Sequence, residues 1–139
     1  MAVFLNNKVG LKINAVDLSD HVTSATLNRA FDELEITAMG DLSHRFVKGL
    51  ESATLTVSFL NDTATGSVLQ SLNGAFGGTY QVKLVQDKVP AVSATNPLYT
   101  FDILVNNLTP IAGATGDIGV QDITFTINSA VTVAESGSF

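Results

Sequence analysis

Alternation of apolar and polar residues with a period of two runs through most of this chain. In the segment ATLTVSFL, residues 53–60, the apolar side chains of Leu55, Val57 and Phe59 alternate with Thr and Ser, and VQDITFTIN at 120–128 follows the same rule. Shorter segments with this alternation lie at 8–13, 80–84 and 99–106. Successive side chains of a strand point to opposite faces of a sheet, so the pattern predicts antiparallel strands with one buried face and one polar face.

One segment departs from this period. Residues 65–76, TGSVLQSLNGAF, carry apolar side chains at helical spacing. Asp62, Thr63 and Thr65 are candidate N-cap residues, and the pair at 77–78, both Gly, supplies a left-handed stop. We therefore predict a mainly β fold with seven or eight strands. The fold class is an antiparallel β-sandwich or partly closed barrel with one short flanking α-helix of about three turns, at about residues 65–76.

Composition restricts the kinds of protein that this chain can be. With 139 residues, 45% of them apolar, the chain fits one folded domain over 1–139. The absence of cysteine excludes disulfides and thiolate sites. No run of eighteen apolar residues occurs, so we expect no membrane-spanning segment. The net charge is −6 and the seven basic residues are spread along the chain, which argues against a surface that grips nucleic acid.

Few residues are arranged as a catalytic or metal site requires. Asp41, Ser43 and His44 are the residue types of a nucleophile triad, but Ser43 and His44 are adjacent and no nucleophile elbow surrounds them. His21 and His44 are too isolated for a zinc site. The glycine-rich segment GATGDIG at 113–119 lacks the lysine and the following helix of a phosphate-binding loop, so we expect a turn there. We predict no catalytic residue, no cofactor and no metal.

The segment FDELEITAMGDLSHRFVKGL, residues 31–50, contains seven ionisable residues in twenty, although the whole chain is only 14% charged. It is also amphipathic, and it is longer than an ordinary hairpin loop. Three interpretations stay open: an interface whose acidic and basic limbs pair with a neighbouring copy, a hairpin folded back on the same chain, or a ligand site. The candidate interface residues are Phe31, Asp32, Glu33, Leu34, Glu35, Ile36, Met39, Asp41, His44, Arg45, Phe46 and Lys48.

The predicted sheet edges have little protection against pairing with other chains. Natural edge strands usually carry Lys or Pro. The three prolines here, Pro90, Pro97 and Pro110, lie in predicted loops or at strand starts, and the outward faces are rich in Thr, Ser and Asn. Such edges favour a protein that pairs its strands with those of its neighbours.

Residues 27–62, LNRAFDELEITAMGDLSHRFVKGLESATLTVSFLND, resemble the front half of tail tube (major tail) proteins of long-tailed, non-contractile bacteriophages. In that family a strand leads into an acidic ELE-T-MGD limb, then a GL turn, and then an alternating strand that ends in an Asn/Asp turn before a short helix. The order of the remaining segments is also similar, so that the resemblance covers roughly residues 8–130.

This resemblance implies a β-sandwich with one flanking helix that assembles into stacked rings of six. Four strands of each subunit would line a tube through which DNA passes without specific binding. A long inter-subunit loop at 31–49 would reach the next subunit or ring, and 1–7 and 130–139 would be arms, the latter ordered only on assembly. The implied partners are further copies of the chain and tape-measure, tail-terminator and baseplate proteins. The implied location is the virion tail, assembled in the cytoplasm of a host bacterium.

Other functions remain open on the same strand pattern. A head-decoration, tail-completion or baseplate-hub protein can share the fold, because strand patterns do not separate ring-capping proteins from tube-forming ones. A carbohydrate-binding β-sandwich is a further alternative, but it needs exposed aromatic platforms, and the chain has no Trp and only two Tyr.

Overall fold

The computed structural model describes residues 8–139, and it confirms a mainly β fold with a single α-helix among them. The predicted N-terminal arm, residues 1–7, lies outside the described residues. The strands are β1 (Gly10–Ile13), β2 (Val16–Asp17), β3 (Val22–Glu35), β4 (Phe46–Leu60), β5 (Thr79–Val85), β6 (Leu98–Leu104), β7 (Val120–Ile127) and β8 (Thr132–Ala134). The α-helix, α1, is Val68–Ala75, and one 3-10 turn covers Ser19–His21.

The strands form one continuous antiparallel sheet in the order β2-β1-β5-β6-β7-β4-β3, with β8 added on β6. The sheet is not closed, because its edge strands β2 and β3 do not pair with each other. Neighbouring long strands are joined by register-specific pairs such as Leu55 with Phe125 and Val57 with Ile123. Residues that face each other in this way share a face of the sheet, so the apolar positions of β4 and β7 lie on one side.

The core confirms the period-two pattern read from the sequence. Leu55, Val57 and Phe59 of β4 are fully buried, and most of the matching alternate positions of β5, β6 and β7 are buried with them. Val68 and Leu72 of α1 belong to the same buried cluster. Since side chains from five strands and the helix share one cluster, the sheet curves around a single core. Burial of each such side chain stabilises the fold by about 1.5–3 kcal/mol.

The helix is shorter than the sequence predicted. It has eight residues, Val68–Ala75, with Ser67 at the N-cap position and no side-chain hydrogen bond at that cap. The prediction that Asp62, Thr63 or Thr65 caps the helix is therefore wrong. Asp62 instead organises the preceding turn, because its carboxylate accepts the Ala64 amide at 2.9 Å and the Ser67 hydroxyl at 2.9 Å. The predicted stop is confirmed, since Gly77 has φ of 86°.

The C-terminal segment, residues 130–139, packs against the sheet of its own chain. Strand β8 pairs with residues 98–100 of β6, and Val131 is buried. Lys12 Nζ donates a hydrogen bond to the Phe139 carbonyl oxygen at 2.9 Å and lies 4.5 Å from the centre of the Phe139 ring. Within the single chain, this segment therefore contacts β1 and β6.

Candidate assembly surface

The region predicted as a long loop, residues 31–49, is the end of a β-hairpin. Strand β3 continues to Glu35 and β4 begins at Phe46, which leaves residues 36–45 as the connecting loop. Only residues 54–60 of β4 pair with β7, whereas β3 follows β4 along its whole length. Residues 29–53 therefore extend beyond the sheet as a two-stranded ribbon, here called the projecting hairpin. At about 3.3 Å per residue its β4 limb reaches roughly 25 Å past β7.

Opposite charges of the projecting hairpin are paired within the same chain. His44 Nδ1 is hydrogen-bonded to the carboxylate of Glu35. The Asp41 carboxylate accepts the Ala38 amide at 2.8 Å and lies 3.8 Å from the Arg45 guanidinium. Such exposed ion pairs contribute little to global stability. They do, however, hold the loop closed on itself, so the local hairpin left open by the sequence is present.

A β-bulge shapes the middle of the projecting hairpin. Phe31 pairs with Glu51, but Glu33 pairs with Lys48, so β4 contains one more residue than β3 between these pairs. At this point a Cβ atom on Gly49 would lie 2.8 Å from the Asp32 carbonyl oxygen. The Lys48 ammonium lies 4.1 Å from the centre of the Phe31 ring, an attractive cation–π distance. Glycine at position 49 therefore allows the two strands to approach closely.

All twelve predicted interface residues lie on the projecting hairpin, and its apolar members are exposed. The exposed apolar side chains of the hairpin are Phe31, Leu34, Ile36, Met39, Leu42, Phe46, Val47 and Leu50. An isolated two-stranded ribbon is only marginally stable in water. Several large exposed apolar side chains on one small element are typical of a contact with another protein. Because Glu35 and Asp41 already have partners within the loop, the exposed apolar side chains are the main candidate groups for such a contact.

Solved structures with this fold come from phage-like particles. No protein-family profile matches the chain, and no curated protein matches it either. A chain in the virion of a native gene transfer agent particle matches with a TM-score of 0.76 and 9% identity, covering 95% of this chain and 99% of that chain. A chain in the tail of an empty gene transfer agent particle, computed with helical refinement and C6 symmetry, matches with a TM-score of 0.65, 9% identity and 81% coverage of both chains.

A third match is a chain in the six-fold symmetrised baseplate of an anti-feeding prophage, with a TM-score of 0.58 and 8% identity, covering 96% of each chain. The chain shares its fold with components of tail and baseplate particles. At these identities the likeness establishes the fold, and the projecting hairpin has to be interpreted from its own residues.

A cleft lies where the sheet does not close. It has a volume of about 680 Å³ and runs between residues 22–27 of β3 and the strands β5 and β6. Its lining is mostly small or neutral, with Leu84 and Tyr99 on one side and Arg29 at one end. Among the described residues that line this cleft, Arg29 is the only charged side chain.

Titratable groups elsewhere in residues 8–139 form isolated pairs. The Ala64 amide, the Ser67 hydroxyl and His21, whose Nε2 is 2.9 Å away, hold the pKa of Asp62 below its ordinary value. Partial burial raises the pKa of Asp17, but hydrogen bonds from Lys88 and Ser19 outweigh burial and lower it. Within the described part of the chain, no three His, Asp or Glu side chains are grouped to hold a metal ion. No helix of that part is long and apolar enough to cross a membrane.

Sequence reasoning missed three exposed apolar residues of the hairpin: Leu42, Val47 and Leu50. Val47 lies beyond the odd-numbered apolar alternation of β4, because Gly49 and Glu51 interrupt that alternation upstream of Ala53. The bulge at Gly49 shifts the phase of that alternation, which obscures Leu50. Leu42 lies between charged and polar neighbours and has no pattern that distinguishes it.

Proposed function

We propose that this chain is the subunit of a phage-type tail tube, in which rings of six copies stack around a bore that conducts DNA. The observation that carries the proposal is the likeness over 95% of this chain and 99% of a gene transfer agent virion chain. The match to a tail refined with helical and C6 symmetry supports the same kind of assembly. An almost complete structural correspondence is what a subunit with the same role in a particle would have.

The projecting hairpin supports self-assembly on physical grounds. It exposes Met39 and Leu42 completely, together with apolar side chains on both of its strands. The free edge of β3 is fourteen residues long and carries no Lys or Pro to prevent strand pairing. Burial of these groups against neighbouring copies would remove both the apolar surface and the unpaired edge from water.

Charge supports a conduit that does not bind the DNA it carries. Each chain has a net charge of −6, so a ring of six copies carries −36. Affinity for DNA arises mainly when Lys and Arg neutralise phosphates and release counterions, and an acidic ring lacks that driving force. In this proposal the partners at the tube ends and in its bore are tail-terminator, baseplate and tape-measure proteins. Assembly takes place in the host bacterial cytoplasm and the product is the virion tail.

Electron microscopy of the purified protein tests the proposal directly. At raised concentration and moderate salt we expect long tubes of constant diameter with a central bore, because a stacking contact that does not close produces a filament. A protein that stays monomeric at every concentration and ionic strength would contradict the proposal.

A substitution at Leu34 tests the contribution of the hairpin. Leu34→Ser removes an apolar side chain that is more than half exposed in the single chain, so the fold of the monomer should be retained. Because Leu34 is 53% exposed in the single chain, its burial at an interface is worth about half of the 1.5–3 kcal/mol of a whole leucine, so the concentration needed for assembly should rise by roughly 4- to 12-fold. Leu34→Met is the matched control, since it keeps the apolar volume. Light scattering measures the assembly of both variants. If the two assemble equally well, Leu34 does not contribute to the interface.

A second candidate is a ring-forming baseplate or tail-completion subunit. The match that covers 96% of an anti-feeding prophage baseplate chain favours this alternative. Such a protein forms closed rings that do not stack on copies of themselves. The same micrographs distinguish the two functions, because isolated six-membered rings at all concentrations indicate the baseplate role.

A further inference from the structure

The end of the molecule opposite the hairpin is formed largely by the connection between β6 and β7, residues 105–119. Strand β4 runs from the projecting hairpin to Leu60, which pairs with Val120 at the start of β7. Beyond this pair the Asn61 amide donates to the Gly119 carbonyl at 2.9 Å, and the Asn61 side chain donates to the Pro110 carbonyl at 3.2 Å. Since β4 has fifteen residues, this loop lies about 45 Å from the start of the hairpin loop.

The 105–119 loop exposes two large apolar side chains. Ile111 is 93% exposed and Ile118 is 72% exposed. Between them, the Asp117 carboxylate accepts the Ala114 amide at 3.0 Å and the Asp117 amide donates to the Ala114 carbonyl at 3.0 Å. Gly116 has φ of 90°, as this tight turn requires. The apolar side chains are therefore presented by a hydrogen-bonded turn.

The end opposite the hairpin carries acids without Lys or Arg, whereas the hairpin loop carries exposed basic side chains beside Glu35 and Asp41. Residues 57–67 and 105–122, which build the end opposite the hairpin, contain carboxylates such as Asp62 and Asp117 but no Lys or Arg. The hairpin loop presents His44 and Arg45, whose side chains are 77% and 59% exposed. Each has one acidic partner in its own chain, and its exposed side remains available to a carboxylate of another molecule.

We propose that the 105–119 loop of one copy receives the hairpin loop, residues 36–45, of the next copy along the tube. Met39 and Leu42 pack against Ile111 and Ile118, and the exposed Arg45 side chain of the hairpin faces the acidic end. The two surfaces differ and lie at opposite ends of the molecule, so each copy can use both at once. A heterologous contact of this kind does not close and therefore propagates as a filament. This inference rests on the proposed tube and names the surface that accepts the hairpin.

Crosslinking tests this contact cleanly because the chain contains no cysteine. Leu42→Cys and Ile118→Cys proteins are purified separately, mixed under assembly conditions and treated with a short bis-maleimide crosslinker. We expect a covalent dimer that contains one copy of each variant. The matched control mixes Leu42→Cys with Val89→Cys, because Val89 is also an exposed apolar residue but lies in the connection between β5 and β6. That mixture should give no specific product.

The double variant Leu42→Cys, Ile118→Cys extends the test to the direction of the contact. Stacking along the tube predicts a ladder of products beyond six copies on a denaturing gel, whereas a contact within one ring stops at six. A ladder that ends at six, or no mixed dimer, overturns the proposed stacking contact.

If tubes are present in micrographs without the mixed dimer, the tube function stands and this contact fails. A mixed dimer without tubes or rings retains the contact and rejects the tube.

Discussion

A side chain at Gly49 would collide with the paired strand, since its Cβ would lie 2.8 Å from the Asp32 carbonyl oxygen and 2.9 Å from Asp32 Cβ. Gly74 in α1 differs from it completely, because no atom lies within 4 Å of the position that its Cβ would occupy. Substitution by alanine at these two glycines therefore has different effects. At Gly49 it tests the close approach of two backbones, and at Gly74 it tests helix propensity alone.

We predict that Gly49→Ala loosens the projecting hairpin, with a local cost of roughly 1–3 kcal/mol because backbone atoms must move. Gly74→Ala should instead stabilise the protein by about 0.5–1 kcal/mol, because alanine restricts the unfolded chain and suits a helix. Hydrogen exchange at residues 29–35 and 46–52 measures the first effect, and thermal unfolding measures the second. Unchanged exchange in the hairpin of Gly49→Ala would show that the bulge tolerates a side chain.

The turn between β4 and α1 depends on one carboxylate. Asp62 accepts hydrogen bonds from Ala64 and Ser67 of the turn and contacts His21 at the start of β3. These contacts favour the charged form, which is why the pKa of Asp62 lies below its ordinary value of 3.8. A carboxylate with a lowered pKa in the folded state stabilises the fold above the unfolded-state pKa and loses that contribution as the pH falls.

This gives a pH-dependent prediction for Asp62→Asn. At about pH 7 the variant should melt at a lower temperature than the wild type, because it loses the charged acceptor. The difference in melting temperature should shrink as the pH falls through the lowered folded-state pKa of Asp62, below 3.8, because the wild-type carboxyl then also becomes neutral. Thermal scans of both proteins across this range measure it. A constant difference at all pH values would mean that the charge of Asp62 contributes nothing to the turn.

In the projecting hairpin, residues that hold the loop together alternate along the sequence with residues that are exposed for a contact. Glu35 and Asp41 hold the loop through His44 and Arg45, whereas Leu34 and its apolar neighbours stay exposed. Charge reversal at Glu35 would therefore disturb the hairpin itself as well as any contact with a neighbour. Apolar substitutions such as Leu34→Ser separate the interface from the local fold.

Assembly of the whole molecule has to overcome its own charge. Six copies with a net charge of −6 repel one another, and this repulsion is screened by salt. Because the proposed contacts are mainly apolar, we predict that the concentration needed for assembly falls when salt is raised from about 0.05 M to about 0.5 M. Sedimentation of polymers at each salt concentration measures it. A higher threshold at high salt would indicate that attraction between opposite charges dominates the contact.

The positions of most strands and of the core follow from the sequence alone. Leu55, Val57 and Phe59 alternate with polar residues, and the geometry of a strand sends every second side chain to the same face whatever the rest of the chain does. The helical spacing of Val68 and Leu72 and the stop at Gly77 are equally local. Local steric rules act over a few residues, so a short stretch of sequence is enough to predict these features.

Only the tertiary structure decided which parts of these elements are covered. Strand β4 becomes a projecting hairpin because β7 pairs with residues 54–60 and reaches no further along it. The turn at 113–119 was predicted, but its place at the end opposite the hairpin depends on the pairing of Leu60 with Val120. Both results come from pairings between residues about sixty or more positions apart, and no local pattern in either segment specifies how far its partner extends.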